Sequence, residues 1–130
     1  MKYGLTIGFI VLLALSRQVA CNKTPMQAGC YKARLEIKGI CMNYTIKVLQ
    51  GDIDTSLVEK HWRDENTGRK YEQVFRLETV CDFPADLAEG SEFYFTINSA
   101  FKPGGCNVCM AYYPTPSKSL AISVLRTPCP

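Results

Sequence analysis

The stretch "YKARLEIKGICM", residues 31–42, carries the clearest structural pattern in this 130-residue chain. Ala33, Leu35 and Ile37 stand at every second position, and the residues between and beside them are charged. Successive side chains of a β-strand point to opposite faces of the sheet, so a period of two predicts a strand with one buried face. The stretch therefore favours a sheet that covers a hydrophobic core.

Other short stretches extend this β pattern in both composition and length. The residues "RDENTGRK" (63–70) predict a hairpin tip, in which Gly68 can adopt a positive φ. "FPADLAEG" (83–90) is compatible with one helical turn or a loop. About five strands with little helix predict a small β-barrel or a β-sandwich, which strand counting does not distinguish. The further strand candidates are "NYTIKVLQ" (43–50), "KYEQVFRLETV" (70–80), "SEFYFTINSAF" (91–101) and "LAISVLR" (120–126).

The N-terminus has the pattern of a signal peptide. Lys2 is followed by the uncharged apolar run "GLTIGFIVLLAL", residues 4–15, which is too short for a membrane span. Cleavage after Ser16 and cleavage after Ala20 are both possible, and the small-residue rule by itself mildly favours Ser16. The sequence thus predicts a secreted, extracellular protein.

The mature chain has the size of one domain and almost no net charge. Cleavage after Ala20 leaves residues 21–130, enough for one domain and too few for two. Loss of Lys2 and Arg17 with the leader lowers the formal net charge from +3 to +1. A nearly neutral chain gives no electrostatic reason to expect nucleic acid or an anionic membrane as a partner.

All seven cysteines follow the leader, at positions 21, 30, 41, 81, 106, 109 and 129. In a small exported domain this density predicts a disulfide framework, and an odd number leaves one cysteine outside three bridges. Two N-x-[ST] sequons fit the same compartment. We expect glycosylation at Asn43, with Asn22 as a second candidate whose occupancy Pro25 should lower.

The sequence offers no catalytic constellation, so we expect no enzyme activity. His61 is the single histidine, which excludes a multi-histidine zinc site within one chain. "CNVC", residues 106–109, is compatible with a redox or metal motif, but structural disulfides are favoured in an oxidising compartment. Trp62 is expected in the core. Packing is expected for Tyr112 and Tyr113, in a segment kept extended by the following proline.

Several cysteine-anchored words resemble the inhibitory, N-terminal netrin-like (NTR) domain of the tissue inhibitors of metalloproteinases, the TIMP family. Their order and spacing along residues 21–130 are the specific part of the resemblance, and a single-domain form is implied. One departure is Lys23, which stands where the family has a cysteine. The matching words are "CNKTP" (21–25), "QAGC" (27–30), "LEIKG" (35–39), "YTIKVLQG" (44–51), "ETVC" (78–81) and "CMAYYP" (109–114).

The resemblance implies a fold and a set of disulfides. The fold would be a small, closed OB-type β-barrel with one or two short helices, and Cys21 would be the first residue of the mature chain. The implied bridges are Cys21–Cys81 and Cys30–Cys129, together with either Cys41–Cys109 or Cys41–Cys106. Each would typically contribute about 2–4 kcal/mol by restricting the unfolded chain.

The resemblance also implies a secreted metalloproteinase inhibitor. The α-amine and carbonyl oxygen of Cys21 would chelate the catalytic zinc of a secreted zinc metalloproteinase, while the protein has no cofactor of its own. An α-amine suits this role because its reference pKa of about 7.7–8.0 leaves it readily neutral near pH 7. The inhibitory ridge would consist of Cys21, Asn22, Lys23, Thr24, Pro25, Glu78, Thr79, Val80 and Cys81.

A second hypothesis keeps the fold and drops the chelation. Lys23 removes one of the family's cysteines, and a glycan on Asn22 would lie in the inhibitory interface. A secreted netrin-like binding or immunomodulatory module, with a receptor or a matrix protein as its partner, is compatible with both features.

Overall fold

The computed structural model describes residues 28–130, so the expected leader and ridge residues 21–25 lie outside the described part. The described chain is mostly β-structure. One or two short helices were expected, and the helical structure among residues 28–130 is one 3-10 turn, Ile40–Met42. Residues 83–90, the candidate for a helical turn or a loop, form turns. The strands are β1 (Cys30–Lys38), β2 (Tyr44–Gln50), β3 (Glu59–Arg63), β4 (Lys70–Leu77), β5 (Glu92–Ile97), β6 (Ser119–Leu120) and β7 (Ile122–Leu125).

The strands form one sheet in the order β3-β4-β2-β1-β5-β7. All pairs along this path are antiparallel, and the two-residue β6 adds to β4 in parallel. β1 lies in the middle, where Ala33 is opposite Val48 of β2 and Phe93 of β5. The mostly-β antiparallel architecture is therefore confirmed. The path does not close on itself between β3 and β7, so the closed OB-type barrel remains a prediction.

The core lies on the face that the alternation in β1 predicted. Ala33 and Leu35 are fully buried, and Ile37 is nearly so. Ala33 and Leu35 share one cluster with large apolar side chains from the neighbouring strands, among them Phe75 and Phe95, whose ring centroids are 5.9 Å apart. Burial of a side chain of this size contributes about 1.5–3 kcal/mol, so this shared face is the main source of stability for the sheet.

A smaller apolar cluster lies beside the main core. Its buried members are Ile37, Tyr71 and Val74, and Trp62 and Tyr113 pack against it while partly exposed. Tyr113 belongs to the C-terminal half of the chain, so this cluster attaches the segment before β6 to the β3–β4 hairpin. The expected packing of Tyr113 is confirmed, whereas Trp62, which was expected in the core, packs at the edge of this cluster and stays partly exposed.

The β3–β4 hairpin turns at residues 64–69, as the sequence predicted, and Gly68 has a φ of +71°. Asp64 organises this turn although it is almost fully buried. Its carboxylate accepts hydrogen bonds from the Asn66 backbone N–H at 3.0 Å and from the Thr67 hydroxyl at 2.6 Å. The hairpin therefore depends on one buried carboxylate.

No helix within residues 28–130 is long and apolar enough to span a membrane.

We expect Asp64→Ala to lower the free energy of unfolding by about 1–3 kcal/mol, because it leaves two donors in the turn without their acceptor. Urea unfolding of the oxidised protein measures the change. Asp52→Ala is the matched control, since Asp52 is exposed. An equal effect of the two substitutions would contradict the role given to Asp64.

Candidate functional site: the bridged loop and the apolar cluster

Three disulfides join distant parts of the described chain. Cys30–Cys129 links β1 to the C-terminal residues, with the Cα atoms 6.0 Å apart. Cys41–Cys109 and Cys81–Cys106 have Cα separations of 4.9 Å and 5.6 Å. Cys30–Cys129 and Cys41–Cys109 are pairs that the TIMP resemblance implied.

The third bridge corrects the expected pair Cys21–Cys81. Cys81 is bonded to Cys106, because the chain after β5 returns to the end of β4 and brings Cys106 beside it. A sulfur atom forms only one disulfide, so the bridge that would have fixed Cys21 beside residues 78–81 is not available. The alternative pair Cys41–Cys106 is excluded in the same way. All six cysteines within residues 28–130 are paired with one another.

The two central bridges hold a long loop, residues 98–118, between β5 and β6. Within the described residues, no backbone hydrogen bond begins or ends on residues 102–117. The bridges at Cys106 and Cys109 fix the first half of this stretch, and buried Pro114 and Pro116 fix its end. Loops of this length without secondary structure are uncommon in compact domains and are often functional.

Five exposed side chains around one bridge form what we term the apolar cluster. They are the exposed large hydrophobic residues among residues 28–130, and all lie within three positions of Cys41 or Cys109. Scattered apolar side chains are normal on a surface, whereas a contiguous group marks an interaction site. The members are Ile40 (60% exposed), Met42 (38%), Val108 (42%), Met110 (96%) and Tyr112 (79%).

The turn that carries Ile40 and Met42 has an unusual backbone. Cys41 and Met42 have φ values of +55° and +57°, a region that residues other than glycine rarely adopt. The turn is closed by the backbone hydrogen bond from Asn43 N–H to the Ile40 carbonyl oxygen, at 3.1 Å. A Cβ on Gly39 would lie 2.6 Å from the Asn43 carbonyl oxygen, so the close approach there requires glycine. Such strain persists where surrounding structure enforces it, often at functional sites.

A groove of about 400 Å³ lies between this turn, the end of β4 and the long loop. Met42 and Val108 belong to both the groove and the apolar cluster. Apolar and charged groups share its wall. Side chains on the wall include Met42, Arg76, Glu78, Val80, Phe101 and Val108.

The segment Glu78–Cys81, the described half of the predicted ridge, borders this groove. Glu78 and Cys81 are exposed, and Val80 is partly buried. Thr79 is almost fully buried, and its hydroxyl donates to the Ile122 carbonyl oxygen at 2.8 Å. The Thr79 side chain therefore positions the segment and does not reach its surface.

The predicted glycosylation site Asn43 also lines the groove. Its side-chain amide donates to the Ile40 carbonyl oxygen at 2.9 Å, and Thr45 of the same sequon is fully buried. A glycan at Asn43 would thus be attached before this part of the sheet forms and would emerge beside the apolar cluster. Glycosylation at this site stays a prediction, and Asn22 lies outside the described residues.

The remaining chemical candidates are accounted for by structural contacts. Cys106 and Cys109 of the "CNVC" motif are bonded to different partners, which favours the structural interpretation of that motif. His61 is exposed, with its Nδ1 atom 3.6 Å from a Glu72 carboxylate oxygen. Within residues 28–130, no three His, Cys, Asp or Glu side chains are grouped so that they could hold a metal ion.

The hairpin tip and the long loop are joined by one side-chain hydrogen bond. The Tyr112 hydroxyl donates to the Glu65 carboxylate at 3.0 Å. This bond, together with the negative charge of Glu65, raises the pKa of the Tyr112 hydroxyl above its ordinary value. Since the bond needs the protonated phenol, its contribution is present below the ordinary tyrosine pKa and is lost as pH rises through the raised one.

Comparisons of the chain with protein-family models, with curated proteins and with solved structures give no significant match.

We expect Glu65→Gln to lower the pKa of Tyr112, because the acceptor loses its charge. Carbon-13 labelling of tyrosine and NMR titration at high pH measure the midpoint for this side chain. Glu72→Gln is the control, as Glu72 pairs with His61 on the adjacent strands. A midpoint for Tyr112 that is equal in both variants would show that the contact with Glu65 does not form in solution.

Proposed function

We propose that this chain is an exported, netrin-like binding module that holds a protein partner at the apolar cluster and the adjacent groove. The observation that carries the proposal is the concentration of exposed apolar side chains around Cys41–Cys109. Their burial in an interface would be favourable by about 25 cal/mol per Å² of apolar surface. Because the cluster is fixed by covalent bridges, little ordering entropy would be lost on binding.

The netrin-like part of the proposal is supported by the segment that contains β6 and β7. β6 pairs with β4 and β7 pairs with β5, and only Ala121 separates the two short strands. Backbone hydrogen bonds continue across this point, from Glu78 N–H to the Leu120 carbonyl and from Asn98 N–H to the Ala121 carbonyl. A ring of β4-β2-β1-β5 completed by this segment would be the closed OB-type barrel, with β3 as an outlying hairpin strand.

Export is supported by the N-terminal sequence and by the cysteine chemistry. The basic, then apolar leader has the pattern of a cleaved signal, and paired cysteines at this density are typical of extracellular domains. An exported module with an apolar binding surface suits a receptor, a matrix protein or an immune protein as its partner. The nearly neutral charge of the mature chain gives no support to a nucleic acid or membrane partner.

Inhibition of a secreted zinc metalloproteinase is the second candidate. Its support is that Glu78 and Cys81, half of the described ridge, lie exposed at the edge of the groove. In this mechanism the Cys21 amine and carbonyl oxygen would occupy the open position of the target's zinc. The bond between Cys81 and Cys106 weighs against it, because Cys21 would need another anchor. The binding module is therefore the better supported function.

A binding assay with two matched variants tests the first candidate. Labelled mature protein is expected to bind cultured cell surfaces or extracellular matrix in a saturable way, and unlabelled protein should compete. Ile40→Ser with Val108→Ser should weaken this binding at least tenfold. Gln50→Ser with Lys60→Ser is the control, at exposed positions of β2 and β3, and should leave the binding unchanged. Non-saturable binding, or equal loss in both double variants, would refute the proposed surface.

The second candidate has a separate test. Protein that begins at Cys21 and protein with one additional alanine before Cys21 are assayed against a panel of zinc metalloproteinases. Chelation predicts inhibition by the first and its loss in the second, because the extra residue removes the cysteine α-amine. Equal inhibition, or a natural mature chain that begins at Arg17, would exclude the chelation mechanism.

A further inference from the structure

Within the long loop, residues 107–112 form a surface strap with an unusual combination of properties. Every one of these six residues is exposed, and Met110 is the most exposed large hydrophobic residue among residues 28–130 at 96%. None of them carries a charge. A long, unbranched apolar side chain that projects fully from a surface costs solvation free energy, and it is suited to insertion into a pocket of another molecule.

The strap also offers its backbone to a partner. No backbone hydrogen bond begins or ends on residues 107–112, so their N–H and C=O groups are unpaired with the rest of the described backbone. None of these residues has a positive φ. Segments whose backbone groups are unpaired and whose φ values are negative can bind by adding a strand to the edge of another protein's sheet, with side chains entering alternate pockets. Proteinase clefts receive their substrates in this way.

Both ends of the strap are fixed to the body of the protein. On the N-terminal side, Cys109 directly precedes Met110 and is bonded to Cys41 of the strained turn. On the C-terminal side, Tyr112 donates to Glu65, and Tyr113 packs against the second apolar cluster. A segment held at both ends loses little conformational entropy on binding. This smaller entropic cost raises the affinity of rigid inhibitors.

We propose that the strap is a substrate-like inhibitory loop for a serine proteinase whose primary specificity pocket is apolar, and that Met110 fills this pocket. The inference deepens the proposed function, on which it rests, by naming the class of the partner. An apolar slot accepts methionine, whereas a pocket that carries a carboxylate selects lysine or arginine. The strap contains neither basic residue.

The clamps explain why such a contact would inhibit rather than lead to rapid hydrolysis. The serine hydroxyl oxygen would bond to the Met110 carbonyl carbon, and the Met110–Ala111 bond would break as its nitrogen takes the hydroxyl proton. Ala111 would remain tethered through Tyr112 and Tyr113. Its amine would thus stay at high effective concentration beside the acyl-enzyme, and the reverse reaction would restore the peptide bond.

Inhibition assays with the full mature chain test this inference. We expect inhibition of a chymotrypsin-type proteinase, with little effect on a trypsin-type one. Met110→Lys should weaken the first inhibition by about 100-fold or more, as expected for an anchor residue, and should create inhibition of the trypsin-type enzyme. The substitution is at a fully exposed position, so folding should be unchanged. Lys60→Ser, at an exposed position of β3 outside the apolar cluster and the strap, should leave both inhibition constants unchanged.

Three results would overturn the inference. The first is that the wild-type chain does not inhibit the chymotrypsin-type proteinase. The second is rapid cleavage after Met110 without inhibition, and the third is an inhibition constant that Met110→Lys does not change. The cell-surface and matrix assay separates these failures from failure of the proposed function. If Ile40→Ser with Val108→Ser still weakens saturable binding there at least tenfold, the binding module stands and only the proteinase is wrong as its partner.

Discussion

Two disulfides, Cys41–Cys109 and Cys81–Cys106, hold the loop 98–118 against the sheet, and the features of the candidate site depend on them. Among residues 28–130, the middle of this loop makes no backbone hydrogen bonds that could hold it in place. Without the bridges, residues 102–113 would be attached only at their ends and through the contacts of Tyr112 and Tyr113. Cross-links of this kind typically contribute about 2–4 kcal/mol each, chiefly by restricting the unfolded chain. Here the bridges also fix the positions of the residues that carry the apolar cluster.

The bridges convert a scattered sequence feature into a surface. Ile40 and Met42 are separated from Val108 and Met110 by more than sixty positions in the sequence, yet the Cys41–Cys109 bridge brings their backbones together. The result is an exposed apolar group beside a groove, on a protein whose other large hydrophobic residues between positions 28 and 130 are at least partly covered. A protein exposes such a group at a cost in solvation, which a partner would recover on binding.

Most of the sheet was predictable because its signals are local. The alternation in β1 identifies the buried face of the strand, which carries Ala33, Leu35 and Ile37. Gly68 marks the hairpin tip, where it has a positive φ. The places where β6 and β7 join the sheet were not predictable from alternation, because these short strands pair with β4 and β5 across long sequence separations. The structural role of Asp64 was not predictable either, because the sequence does not show whether a carboxylate in a turn is buried or solvated.

The site was predictable only in part, for reasons of geometry. Spacing does not show which cysteine the returning loop brings beside Cys81, and the partner proved to be Cys106 instead of Cys21. Packing was expected for both Tyr112 and Tyr113, but only Tyr113 packs, because Tyr112 lies on the exposed strap. The apolar cluster was missed, since hydrophobic residues outside a periodic pattern resemble core residues. The one available signal was their position beside two cysteines.

Mass-spectrometric disulfide mapping of the unreduced mature protein identifies the bridges that hold the loop against the sheet. We expect cross-linked peptides that join Cys81 to Cys106 and Cys41 to Cys109. Because Cys106 and Cys109 are close in sequence, cleavage between them or fragmentation of the linked peptides is needed to separate the two bonds. A peptide that joins Cys81 to Cys21 would contradict the account, because it would release the loop from the end of β4 and restore the anchor for zinc chelation.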